Sequence, residues 1–166
     1  MTSLLFLSLV GQNLAYADEG FGVRLFLSPD WKLAEKEEDD PMVFVTLEKE
    51  WLKAVLIYGI VPDLVGQPDP PRFLVNMLLA ELESEDLQLD PVTPIMVAGL
   101  VGCQTTLRGK MDEDVGVARI ISLARGDKAV ILAIGKENST YFLPEDINDM
   151  EEFISGLRLG FGPMGY

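Results

Sequence analysis

Along the first sixty residues, apolar and polar positions alternate with a period of two. In "VRLFLS", Val23, Leu25 and Leu27 fall on one side and Arg24, Phe26 and Ser28 on the other; in "PMVFVTLEK", Val43, Val45 and Leu47 oppose Phe44, Thr46 and Glu48. Such alternation predicts strands with one buried face. The stretch "LKAVLIYGIV" then gives a nearly continuous apolar strand. The connections are too short for helical crossovers, so these three strands are expected to pair as an antiparallel start to a sheet.

Beyond them the period changes. "VPDLVGQPDPP" is a proline-rich connector whose Asp69-Pro70-Pro71 predicts a helix start, aspartate as cap and proline in the first turn. The helix is expected to run to about Asp86, with Leu74, Val75, Leu78 and Leu82 on its apolar face. Two apolar stretches, "IMVAGLVG" and "CQTTLRGK", lead to an acidic turn at Asp112-Glu113-Asp114. "VGVARIISLA" and "KAVILAIGK" are joined by Arg125-Gly126-Asp127, a hairpin signal because glycine tolerates the positive φ of tight turns. "LPEDINDMEEFISGLRL" predicts a closing helix. Pro144 suits its first turn, Glu145 and Asp146 oppose the positive end of its dipole, and Ile147, Met150, Ile154 and Leu157 form its stripe. The order is three strands, a helix, about four strands and a helix, which predicts an α+β fold with a central, mainly antiparallel β-sheet of about six to seven strands flanked by helices.

The N-terminus reads differently. "MTSLLFLSLVGQNLAYA" carries no charge, holds an apolar run from Leu4 to Val10 and closes with Ala15-Tyr16-Ala17. That pattern predicts a secretory signal peptide over residues 1–17 and a single domain over 18–166, hence a periplasmic or secreted protein, although the usual basic start is missing. The run falls well short of the roughly 20 residues a membrane span needs.

Charge narrows the partners. The 166 residues hold 27 acidic and 13 basic side chains and no histidine, a formal charge of −14. Nucleic acid is excluded as a partner, because phosphate binding rests on Lys and Arg displacing counterions. Anionic membrane is disfavoured too. An acidic surface can instead steer a basic protein or a divalent cation.

The lone Cys103 sits in an apolar setting and is expected to be a buried inert thiol. Without histidine, Ser-His-Asp and Cys-His arrangements are impossible, and phosphate-loop and nucleophile-elbow motifs are absent. The expectation is a protein that is not an enzyme and needs no cofactor.

Two acidic groups remain as candidate partner surface or weak cation surface: Glu35, Glu38, Asp39 and Asp40, within an acidic run at 35 and 37–40, and Asp112, Glu113 and Asp114. Neither has the ligand spacing of a calcium loop. Both are read as exposed loop tips, the first as the loop of a hairpin. Pro29 and Trp31, in "RLFLSPDW", are read as structural: the strand ends at the proline and the tryptophan plugs the end of the core.

The opening "GFGVRLFLSPDW", the strand-strand-strand-helix order, the glycine in "VAGLVG", the long hairpin from Val115 to Lys136 and the final "ISGLRL" resemble the PsbP-like superfamily. That superfamily includes DcrB-type bacterial periplasmic proteins and a eukaryotic Ran-binding nuclear transport factor. The resemblance covers roughly residues 20 to 159 and implies an α/β/α sandwich that serves as a non-catalytic binding or assembly module. No photosystem motif or basic patch is present, so neither a photosynthetic nor a Ran-related role is expected, and the resemblance assigns no functional residue. The expected function is that of an exported PsbP/DcrB-like module binding a protein partner, as a monomer or weak homo-oligomer. The alternative is a periplasmic protein binding a small ligand or divalent cation in a pocket between sheet and helix.

Overall fold

The computed structural model describes residues 12–82, 86–111 and 113–161. The order is β1 (Asn13–Asp18), β2 (Val23–Leu27), β3 (Lys32–Asp39), β4 (Met42–Lys49), β5 (Leu52–Ile60), a 3-10 turn (Pro62–Leu64), α1 (Pro70–Glu81), β6 (Leu87–Leu89), β7 (Thr93–Val97), β8 (Leu100–Met111), β9 (Asp114–Arg125), β10 (Lys128–Glu137), α2 (Pro144–Gly156) and β11 (Leu157–Leu159). The strands form two antiparallel sheets. One has eight strands in the order β3-β4-β5-β10-β9-β8-β6, with β7 also on β8; the other has three, β1-β2-β11. The α+β class matches the sequence reading, with more strands than expected.

Two of the additional strands, β3 and β6, are ones alternation cannot reveal. All eight residues of β3 are exposed, so it has no buried side to mark it, and β6 is three residues long. The acidic run read as a hairpin loop is therefore a strand: Glu35, Glu37, Glu38 and Asp39 lie in β3, paired to β4, and only Asp40 sits in the turn between them. The expected three-stranded start is also corrected. After Leu27 a turn closed by the Trp31 N–H on the Ser28 carbonyl separates β2 from β3. The two strands belong to different sheets, β2 pairing with β1 and β11 while β3 takes the place beside β4.

Elements pack on both faces of the eight-stranded sheet, on the α1 side over only part of it. One face packs Val45, Leu56, Leu123, Leu132 and Ile134 against Leu25 and Leu27 of the small sheet, Met150 and Phe153 of α2, and Trp31 from the turn after β2. The other packs Leu107, Ile120, Ala129 and Ile131 under Leu64 and Leu74, where α1 lies. β9 and β10, packed on both sides along their central residues, read as continuous apolar runs; β5 is nearly as apolar, although Val55 and Ile57 on its α1 side are only half-buried.

Both helix starts follow the predicted chemistry. Asp69 accepts a hydrogen bond from the Arg72 N–H at 3.3 Å, and Asp146 accepts one from the Leu143 N–H at 2.8 Å. The same Asp146 oxygen is 2.6 Å from Lys136 Nζ in a buried ion pair that fastens α2 to β10. α1 ends at Glu81, short of Asp86, with Leu74 and Val75 buried and Leu82 exposed. In α2 the buried stripe is Met150, Phe153 and Ile154; Ile147 is exposed and Leu157 begins β11.

Residues 13–17, read as the end of a signal peptide, lie in β1. Tyr16 is buried and its hydroxyl meets that of Tyr58 at 2.5 Å, while Tyr58 donates to Asp18 at 2.6 Å. A cut after Ala17 would remove most of a paired strand. Residues 1–11, with the apolar run from Leu4 to Val10, lie outside the described residues. Among the described residues no helix is long and apolar enough to cross a membrane.

Candidate functional site

In an antiparallel sheet, paired residues share a face and alternate residues change face. The registers therefore map the α1 side of the large sheet row by row. One row runs Glu37, Phe44, Ile57, Ile131, Ser122, Cys103; the next runs Glu35, Thr46, Val55, Ala133, Ile120, Thr105. Asp39 and Met42 head the row above, and Glu48, Lys53, Gly135 and Ala118 make the row below.

α1 roofs only part of this face. It packs over β8 and β9 and is pinned by the Ser122 hydroxyl, which donates to the Pro71 carbonyl at 2.6 Å. Cys103 is buried here, and desolvation raises its thiol pKa above the ordinary value. Toward β4 and β5, and toward the lower end of the hairpin, no element covers the sheet among the described residues.

Two depressions mark the uncovered part. Between α1 and the sheet, an apolar groove of about 360 Å³ is lined by Met42, Phe44, Ile57, Met77 and Leu78 among others, with Glu81 at its margin. At the lower end, an open concavity of about 660 Å³ has Val55, Gly116, Ala118, Ala133 and Gly135 in its floor and Trp51 at its side. Trp51 is 83% exposed. It occupies the two-residue turn between β4 and β5, next to Glu50, whose φ of 52° lies in the left-handed region usually taken by Gly or Asn in such turns. Glu48, Glu50, Asp114 and Glu137 line the same concavity, with Lys53 among them. The Lys136 side chain is held by Asp146.

The sequence-predicted carboxylates separate by face. Glu35 and Asp39, with Glu37 between them, project from edge strand β3 on the α1 side, since they pair with Thr46, Met42 and Phe44. Glu38 pairs with Val43 on the opposite side, where it lies 3.4 Å from Lys36 Nζ. Asp114 opens β9 at the concavity and Glu113 precedes it in the turn, while Asp112 lies outside the described residues. The two acidic groups thus contribute Glu35, Asp39 and Asp114 to different margins of one open sheet face. Among the described residues no three His, Cys, Asp or Glu side chains converge as a metal site would require, so the cation reading has no geometric support. Pro29 is exposed at the turn, and Trp31 is buried, with its ring centroid 5.1 Å from that of Phe153.

Sequence reasoning missed Trp51 and the uncovered face, and it noted Glu37 only as part of the acidic run. Trp51 had one signal: a tryptophan in a two-residue gap between alternating strands has no strand position from which to enter the core.

No family model and no curated protein sequence matches the chain. Solved structures do. The Saccharomyces cerevisiae Ran-binding protein Mog1p shares the fold at a TM-score of 0.58 and 12% identity, the match covering 89% of this chain and 95% of that one. A mutant of Mog1 matches with the same score, identity and coverage.

At this identity the likeness establishes the fold. It corrects the placement of the chain among PsbP- and DcrB-like exported domains, since the matching structures are those of a Ran-binding protein. It likewise points away from the expected periplasmic or secreted location. The physical reason for the error is plain: strand order and a Pro-x-Trp turn report packing, and packing is the same in any compartment.

Proposed function

We propose that this chain is a non-catalytic protein-binding module that receives its partner on the uncovered part of the α1-side sheet face. The observation that carries this reading is the half-roofed sheet itself. Phe44, Ile57 and Val55 stand on its open side, bordered by the carboxylates of β3, in a fold that packs the centre of the opposite face against the small sheet and α2. A sheet face with an apolar centre and a charged border has the anatomy of a protein interface. The fold likeness to Mog1p adds that this architecture serves protein binding elsewhere and makes Ran the first partner to test. The low share of basic residues favours a partner whose contact surface is basic.

The test installs a photo-crosslinking residue at Thr46, on the open face, and separately at Arg158, exposed on β11, in cells of the native host, with purified Ran titrated calorimetrically in parallel. A discrete adduct from position 46 and none from 158 is expected. Adducts from 158 alone, or none from either, would overturn the reading; a flat Ran titration beside a position-46 adduct would replace Ran with another protein.

A further inference from the structure

We infer that the concavity beside Trp51 docks a basic amphipathic helix of the partner, with Trp51 as the apolar anchor. This rests on the proposed protein-binding role and specifies the segment that would be bound.

The geometry argues for a helix. α1 already packs on this same face, and the layered architecture leaves room for a second helix over the lower ends of β5, β9 and β10. There the floor is made of Gly116, Ala118, Ala133 and Gly135, whose small side chains let a helix approach closely. Trp51 stands beside that floor, 83% exposed, in a turn too short to return it to the core of its own chain. A tryptophan is the residue most often found at the energetic centre of an interface, where covering it excludes water from a large apolar surface.

Charge selects the occupant. Among the described residues, Glu48, Glu50, Asp114 and Glu137 line the concavity against one available cation, that of Lys53, since Lys136 is paired with Asp146. An apolar helix face flanked by Lys or Arg complements both the floor and this rim. A partner strand would instead add to a sheet edge, such as β3, β6 or β7 of the large sheet, and none of these lines the concavity.

The test uses the full chain carrying Trp31→Phe, so that Trp51 is the sole tryptophan and reports its own environment. The probe is a short Leu/Lys amphipathic helical peptide; controls are a Leu/Glu peptide of the same apolar face and a Ser/Lys peptide of the same charge. The Leu/Lys peptide is expected to shift Trp51 emission to the blue with saturation, and to bind at least about tenfold more tightly than either control.

Labelled-peptide anisotropy on the otherwise wild-type chain repeats the measurement should Trp31→Phe unfold. In that assay Trp51→Ala and the double variant Glu50→Lys, Asp114→Lys are each expected to weaken binding at least about tenfold. Equal binding of the Ser/Lys peptide, indifference to both variants, or hydrogen-exchange protection confined to β3 would overturn the proposal. Loss of peptide binding beside a retained position-46 adduct removes only the helix; peptide binding without any adduct removes the cellular role and leaves the helix site.

Discussion

Trp31 shows what a single side chain contributes to joining the two sheets. It is buried, and its ring meets Phe153 of α2 at a tilt of 64°. Its indole N–H finds no hydrogen-bond partner among the described residues, so its value lies in volume and contact. Trp31→Ala is expected to cost about 3–5 kcal/mol in urea denaturation, the range for deleting a large buried aromatic. Trp31→Phe, which keeps a ring against Phe153, is expected to cost less than about 1.5 kcal/mol.

Tyr58 makes a different contribution. Its hydroxyl hydrogen bond is the main cause that holds the Asp18 carboxyl below its ordinary pKa, against the opposing effect of burial and with help from the Phe21 N–H. Burial chiefly, and then the bond to Asp18, push the Tyr58 hydroxyl well above its ordinary range. A depressed carboxylate stabilises the fold above its unfolded pKa of about 3.9, and that contribution fades as the pH falls through the lower folded value. The stability gap between wild type and Tyr58→Phe is therefore expected to be about 1–2 kcal/mol at pH 7 and to narrow below about pH 4, as urea midpoints across pH would show. Of these residues the sequence pointed to Trp31 as a core residue, from its place after a strand-ending proline, and it is buried. The Tyr16–Tyr58–Asp18 contact was hidden because its members come from two sheets.

Among the elements, helices and hairpins were legible because their signals are local. Asp69-Pro70, Pro144 with Asp146, and Gly126 each do at short range what their chemistry predicts. β3 was not legible, since a strand exposed on both sides carries no alternation to read. The passage from α2 to β11 depends on one small residue. A Cβ on Gly156 would meet the Phe26 carbonyl oxygen of β2, closer than any carbon–oxygen contact a fold tolerates. Gly156→Ala is expected to lower stability by about 3 kcal/mol, by forcing α2 away from the small sheet, and to shift the thermal midpoint accordingly. An unchanged midpoint would mean that the sheet yields there without cost.

At the scale of the whole molecule, the partition into two sheets, and with it the open face, was beyond reach of the sequence pattern. Periodicity tells which side of a strand is apolar and is silent on which strand lies beside it. Three of the acidic positions named from the sequence do border the face, but only the row-by-row register reveals that they border a common surface. The same carboxylates also guard the molecule. β3 ends the large sheet with one backbone edge unpaired, and charged side chains on such a strand discourage edge-to-edge pairing between copies. Replacing Glu35, Glu37 and Asp39 together by threonine is expected to leave the monomer folded and to produce concentration-dependent association, read by analytical ultracentrifugation; a strictly monomeric variant would remove the guarding role.

The small sheet bears on the order in which the chain can fold. Leu25 lies between β1 and β11, and its β11 partner, Leu157, follows the entire large sheet in the chain. During synthesis the ribosome releases β2 long before β11 exists, so the β2 edge that β11 will occupy must wait, its backbone groups hydrated. The two hairpins β4–β5 and β9–β10 close over short loops, whereas β2 and β11 must close a loop that spans most of the protein, at greater entropic cost. The addition of β11 to the β1–β2 hairpin is therefore expected to be a late step of assembly, one that fixes α2 over the buried face beneath it.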